Sequence, residues 1–148
     1  MTPNAKFAEL AAVLASLDPA SVAAGTAVTT WVPAGNFHTF AALIQTGALG
    51  TAATVDVKLR QATDSSGTGA KDIPAKAIAQ IVKASGDNKQ VILECRSEDL
   101  DQAAGYAWLA ISVTVGTAAS VLGGTLLGLN PRFAPASAFN QASVVQTV

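Results

Sequence analysis

Between Thr54 and Gln61 the chain alternates residue by residue, with Val55, Val57 and Leu59 on one side and Asp56, Lys58 and Arg60 on the other. A period of two buries its apolar set only as an extended strand with one face on a core and the other in water. The same period returns from Tyr106 to Val115, where Leu109, Ile111, Val113 and Val115 share one face and Trp108, Ala110, Ser112 and Thr114 the other. Neither of those faces carries a charge, so both are expected to be covered. Thr26–Val32, Phe37–Gln45, Lys89–Arg96 (Val91, Leu93 and Cys95 on one face) and Val121–Leu129 read as further strands. The last of these is loosened by Gly123, Gly124 and Gly128. Turn signals stand between them at Pro33–Asn36, Gly47 and Gly50, Asp64–Gly69, Gly86–Asn88 and Gly116–Ser120.

Short strands at near-regular spacing specify a mainly all-β fold, an antiparallel β-sandwich of jelly-roll-like type. Strands do not alternate with long helices, which disfavours a doubly wound fold. Residues 5–17 have helical spacing, with Phe7, Leu10, Val13, Leu14 and Leu17 near one face, Asn4 as a cap and Asp18-Pro19 as the stop. Residues 75–83 suit strand and helix equally, and Ser97–Asp101 reads as a helical turn capped by Ser97. After Asn130-Pro131 the pattern dissolves into an apolar tail. The expected organisation is a helix or arm over 1–25, a sandwich over 26–130 and an extended C-terminal arm over 131–148.

A chain of 148 residues can bury a core of its own. Only 13% of it is charged, and the charges are unevenly placed: residues 1–50 hold Lys6, Glu9 and Asp18, and residues 102–148 hold Arg132 alone. A freely soluble surface is normally laced with charge, so the last third reads as a surface to be covered by partners. The candidate contact residues are Phe7, Leu10, Leu14, Trp108, Arg132, Phe133, Phe139, Val144 and Val145. A net charge of −1 argues against nucleic acid and against an electrostatic membrane patch. The N-terminal apolar run, broken by Glu9 and Asp18, lacks the form of a signal peptide, and no segment is long enough to span a membrane. Cys95 is the single cysteine, so no intrachain disulfide forms.

The chemistry-bearing residues are sparse. His38 is the single histidine, and no nucleophile-elbow pattern occurs. One His and one Cys do not build a transition-metal site. Glu94, Glu98, Asp99 and Asp101 cluster around Arg96 without a calcium-loop pattern and read as a solvated turn. Asp64–Gly69 lacks the Gly-Lys-Ser/Thr of a phosphate loop. Trp31, Trp108 and Tyr106 are the candidates for a sugar-stacking platform, against the commoner use of such residues in a core or interface. No catalytic residue, metal or cofactor is expected.

Residues 46–73 (TGALGTAATVDVKLRQATDSSGTGAKDI) and 90–120 (QVILECRSEDLDQAAGYAWLAISVTVGTAAS) resemble small structural proteins encoded beside the capsid genes of tailed bacteriophages. The resemblance lies in Val55–Gly67, Leu100–Tyr106 and Val113–Thr117. It implies a virion component with a β-sandwich body, such as a capsid decoration protein bridging capsomers. Its partners would be the major capsid protein, other virion proteins or copies of itself, and assembly would take place in the host cytoplasm. The competing expectations are a phage neck, tail or fibre component, and a carbohydrate-binding module. An enzyme would need a pocket around His38 or the 94–101 carboxylates.

Overall fold

A computed structural model describes residues 4–148. After a helical turn, α1 (Phe7–Leu10), come β1 (Ala11–Val22), β2 (Gly25–Val28), β3 (Val32–Pro33), β4 (Phe37–Thr46), β5 (Thr54–Ala62), β6 (Lys71–Ala77) and β7 (Ile81–Val82). A second helical turn, α2 (Lys83–Gly86), precedes β8 (Gln90–Arg96), β9 (Trp108–Gly116) and β10 (Ser120–Pro131). One sheet has the order β1-β10-β4-β8 and the other β2-β9-β5-β6, with β3 on β9 and β7 on β5. All pairings are antiparallel. With the two-residue strands β3 and β7 set aside, the remaining strands run 1-8-3-6 in the first sheet and 2-7-4-5 in the second. That is a long hairpin rolled up on itself, the order of a jelly roll, so the sandwich expected from the alternation is present.

The two inner faces meet over one core. The second sheet contributes Val55, Val57, Leu59, Leu109, Ile111 and Val113, and the first contributes Phe40, Ile44, Leu122 and Leu126, all buried. The glycines of β10 are sites of close approach. A Cβ on Gly124 would strike the Ile44 side chain, one on Gly123 would lie 3.0 Å from the Pro19 Cα, and one on Gly128 would lie 2.7 Å from the Phe37 ring. The Phe37 ring occupies the space left by Gly128 and packs edge-on against Phe40 (6.2 Å between centroids) and Phe139 (5.5 Å).

The structure corrects three expectations. Residues 11–22 are strand, and only Phe7–Leu10 is helical. The register of β1 against β10 shifts between Val13 and Ala15 and again between Leu17 and Ala20. A bulge adds a residue and breaks the period of two, so Leu10, Leu14 and Leu17 mimic helical spacing. Within the segment 1–25, Ala11–Val22 is an edge strand of the first sheet, and residues 1–3 lie outside the described residues. At 97–99 the cap position falls on Arg96, whose N–H donates to the Asp99 carboxylate (2.8 Å), while Ser97 is buried and accepts a hydrogen bond from Arg132 (3.1 Å). The tail is not extended throughout, because Ala136–Phe139 forms a 3-10 turn with Ala136 fully buried and Phe139 packed on the core. The ambiguous stretch 75–83 resolves into the end of β6, the short β7 and the start of α2.

Glycine-to-alanine exchange in a strand normally stabilises by about 0.5–1 kcal/mol. At Gly128 the opposite sign is expected, because the new methyl meets the Phe37 ring, and Phe37→Ala should cost about 3–5 kcal/mol. Urea midpoints followed by tryptophan fluorescence check both, and an unchanged or higher midpoint for Gly128→Ala would contradict this packing.

Candidate docking face

The two outer faces of the sandwich differ in kind. On the second sheet, Lys58 and Arg60 of β5 project outward and both pair with Asp72 of β6, at 2.8 and 3.1 Å. Gln80 donates to Asp56 (2.8 Å), and Lys71 pairs with Asp101 (2.6 Å) while lying 4.1 Å over the Tyr106 ring. These pairs are solvent-exposed and contribute little to stability, so their main effect is to keep this face hydrated. The hydrogen bond from Lys58, reinforced by its charge and that of Arg60, holds the Asp72 carboxyl below its usual range.

On the first sheet the antiparallel register builds cross-strand rows of neutral side chains. One row runs Ile92–Leu43–Thr125–Ser16 across β8, β4, β10 and β1, and the next runs Glu94–Ala41–Leu127–Val13. Ile92 is 66% exposed, Leu43 40% and Val121 42%. In these rows the charge lies at the β8 edge, on Glu94 and on Arg96 opposite Thr39. A shallow trough of about 450 Å³ crosses this face, with Leu43, Gln45 and Val121 on one side and Ser16, Asp18 and Pro19 on the other. Beside it β1 bulges at Asp18-Pro19 over Gly123, where a Cβ would lie 3.0 Å from the Pro19 Cα.

The residues singled out from the sequence are not gathered on this face. Leu14 and Phe139 pack against the core, and Leu10 is half-buried in the N-terminal turn. Arg132 is held at the end of the sandwich by its N–H to the Asn36 carbonyl (2.9 Å) and its guanidinium to Ser97. Trp108 is half-buried on the second sheet, opposite Ala62 and Pro33. Phe7, Phe133 and Val145 are exposed, and Val144 is half-buried. Leu43, Ile92 and Val121 were missed. Ile92 stands between Gln90 and Glu94 on the polar side of the β8 alternation, and that break in pattern was the available signal.

The remaining candidates are dispersed. Glu98 pairs with Arg96 (3.1 Å), Asp99 with Lys76 (3.2 Å) and Asp101 with Lys71, so the carboxylates face cations rather than one another. His38 is exposed at the start of β4. Cys95 is buried in the core, and that burial pushes its thiol up to about 12. The cleft that Tyr106 lines with Arg132 and Gln102 contains neither Trp31 nor Trp108. Among the described residues no helix is long and apolar enough to cross a membrane.

No family model matches the chain, and no curated protein matches it. Several solved structures are similar in architecture. A chain in the structure of Broad bean stain virus is 13% identical with a TM-score of 0.46, over 90% of this chain and 93% of that one. The SPBc2 prophage-derived protein YomS is 10% identical with a TM-score of 0.44, over 80% and 93%. A Clostridium thermocellum xylanase fragment (CBM22-1 and GH10 modules of Xyn10B, complexed with xylohexaose) is 8% identical with a TM-score of 0.43, over 78% and 26%. Likeness at this level is a likeness of sandwich architecture.

Asp72, Asp87, Asp99 and Asp101 are all held below the usual carboxylate range, Asp72, Asp87 and Asp101 chiefly by lysine partners and Asp99 chiefly by the Arg96 N–H. A lowered folded-state value means stability that is fully present above the unfolded value, about 3.9, and lost as pH falls through the folded values. Urea midpoints should be level from neutral pH to about pH 5 and fall below about pH 4; a flat profile down to strong acid would contradict the pairing. Cys95 should react with a disulfide reagent only on unfolding, and rapid labelling of the native protein at pH 8 would show that the core is open there.

Proposed function

We propose that this chain is a non-enzymatic structural protein of a virus particle, and that it serves as a decoration protein on a tailed-phage head. The observation that carries the reading is the asymmetry of the sandwich. One outer face is laced with ion pairs, as a solvated surface is, and the other presents exposed Ile92, Leu43 and Val121 in a nearly uncharged field. Protein contact faces are depleted of charge at their centres and hydrated at their rims. The first sheet would therefore lie against the shell, and the charged second sheet would face solvent. The partners would be the major capsid protein and copies of this chain, and its location the virion. Jelly-roll order is a construction used by viral capsid and lectin domains, which is compatible with the reading without deciding it. The resemblance of residues 46–73 and 90–120 to head-associated phage proteins points the same way. A neck, tail or fibre component would share the surface and differ in copy number.

Quantitative mass spectrometry of purified particles tests the reading. A ratio to the major capsid protein near one, or a simple fraction of it, is expected. A handful of copies would assign the chain to neck, tail or fibre, and absence from particles would sink a virion role. The face itself is tested by Leu43→Lys combined with Ile92→Lys. The double variant sets two lysines directly opposite each other across β4 and β8, so its stability to urea should fall by no more than about 1 kcal/mol, the scale of one unfavourable cross-strand pair. It should lose at least about tenfold in affinity for particles, which corresponds to about 1.4 kcal/mol.

A further inference from the structure

The trough on the first sheet begins where this chain's own C-terminal segment leaves off. Asn140 and Gln141 pin that segment to β1. The Val13 N–H donates to Asn140 Oδ1 (2.8 Å), the Gln141 N–H donates to the Val13 carbonyl (2.8 Å), and Gln141 Nε2 donates to Ser16 Oγ (3.1 Å). These contacts cover the β1 edge at Val13 and end at Ser16, which is itself in the trough wall. The trough thus continues a contact that the tail already makes. Beyond Gln141 the chain runs ASVVQTV, without a charged side chain and with β-branched Val144, Val145, Thr147 and Val148. The trough is equally neutral apart from Asp18, and its walls hold the exposed Leu43 and Val121. A neutral, strand-forming segment can enter such a channel without stripping water from an ion, whereas an anionic peptide would lose hydration and meet Asp18 with no cation beside it.

In its own chain the segment turns away. The Val144 N–H closes a turn on the Gln141 carbonyl (3.0 Å), and Val145 stands 94% exposed. We propose that residues 142–148 of a second copy of this chain occupy the trough between Pro19 and Leu43, linking copies tail to face. The proposal rests on reading the first sheet as the docking face and adds the identity of one occupant. Seven extended residues span at most about 25 Å, so linked copies are immediate neighbours. The link is heterologous, with tail on one copy and trough on the next, and such links close into rings or run on as open filaments.

Intermolecular disulfide trapping tests this on the full chain, where the native Cys95 is buried. Chains carrying Val145→Cys are mixed with chains carrying Gln45→Cys, in the trough wall. The control mixture replaces the second partner by Gln80→Cys, an exposed site beside the second sheet. The trough pair should give at least about tenfold more linked dimer than the control, as docking raises the local thiol concentration toward the millimolar range. Equal yields in the two mixtures would overturn the proposal. So would a Val145→Cys, Gln45→Cys double variant that closes a monomeric disulfide under dilution, because the occupant would then be the chain's own tail. Should trapping fail while the Leu43→Lys, Ile92→Lys chain still loses its affinity for particles, the docking face stands and the tail inference falls. Trapping with undiminished particle binding by that variant would separate the two the other way.

Discussion

The placement of β10 between β1 and β4 is the constraint on which the rest of the first sheet depends. A strand with neighbours on both edges has no free ladder groups, and its side chains must suit both strands at once. β10 does so partly by having no side chain at three positions. Gly124 admits Ile44, Gly128 admits the Phe37 ring, and Gly123 admits Pro19. The first two contacts fill the core, and the Phe37 ring in turn receives Phe139, which brings the C-terminal segment back over the end of the sandwich. The third lets β1 bulge over the outer face and raises one wall of the trough. Core packing and the candidate docking surface thus share one structural cause.

The division between a charged and a neutral outer face follows from which strands each sheet contains. The second sheet takes β5 and β6, from the central stretch of the chain where the charges are concentrated, and pairs their ions across neighbouring strands. Three of the four strands of the first sheet, β1, β4 and β10, come from the charge-poor ends. Charge enters this sheet only on its two edge strands, as Glu94 and Arg96 on β8 and Asp18 at the bulge of β1. Chain winding therefore converts a lengthwise segregation of charge into a segregation between faces. The two ends meet because the rolled hairpin pairs the first strand with the last. The edge of β1 is covered at Val13 by Asn140 and Gln141, a local form of the edge protection that sheets require.

The alternation of β5, β8 and β9 was legible in the sequence because strand period is a local property, and the side chains read as inward are buried, with Val91 half-buried. The sandwich class followed from those strands and the turns between them. The N-terminal reading failed because a bulge is decided by the partner strand. Without β10 beside it, Ala11–Val22 carries apolar residues at helical intervals. The burial of one candidate contact residue was hidden in a related way. Phe139 was chosen as a free apolar anchor, yet it completes the core against Phe37, just over a hundred residues earlier in the chain.

By itself, then, the sequence determined the strongly alternating strands, their inward faces and the scarcity of charge outside residues 56–101. These properties are set by a residue and its nearest neighbours along the chain. Tertiary structure alone decided the jelly-roll order, the bulges of β1, the glycine cavities of β10 and the union of Ile92, Leu43, Thr125 and Ser16 into one exposed row. Those four residues come from four strands spread over more than a hundred positions. No local pattern can bring them together, because their adjacency is created by hydrogen-bond register between distant segments.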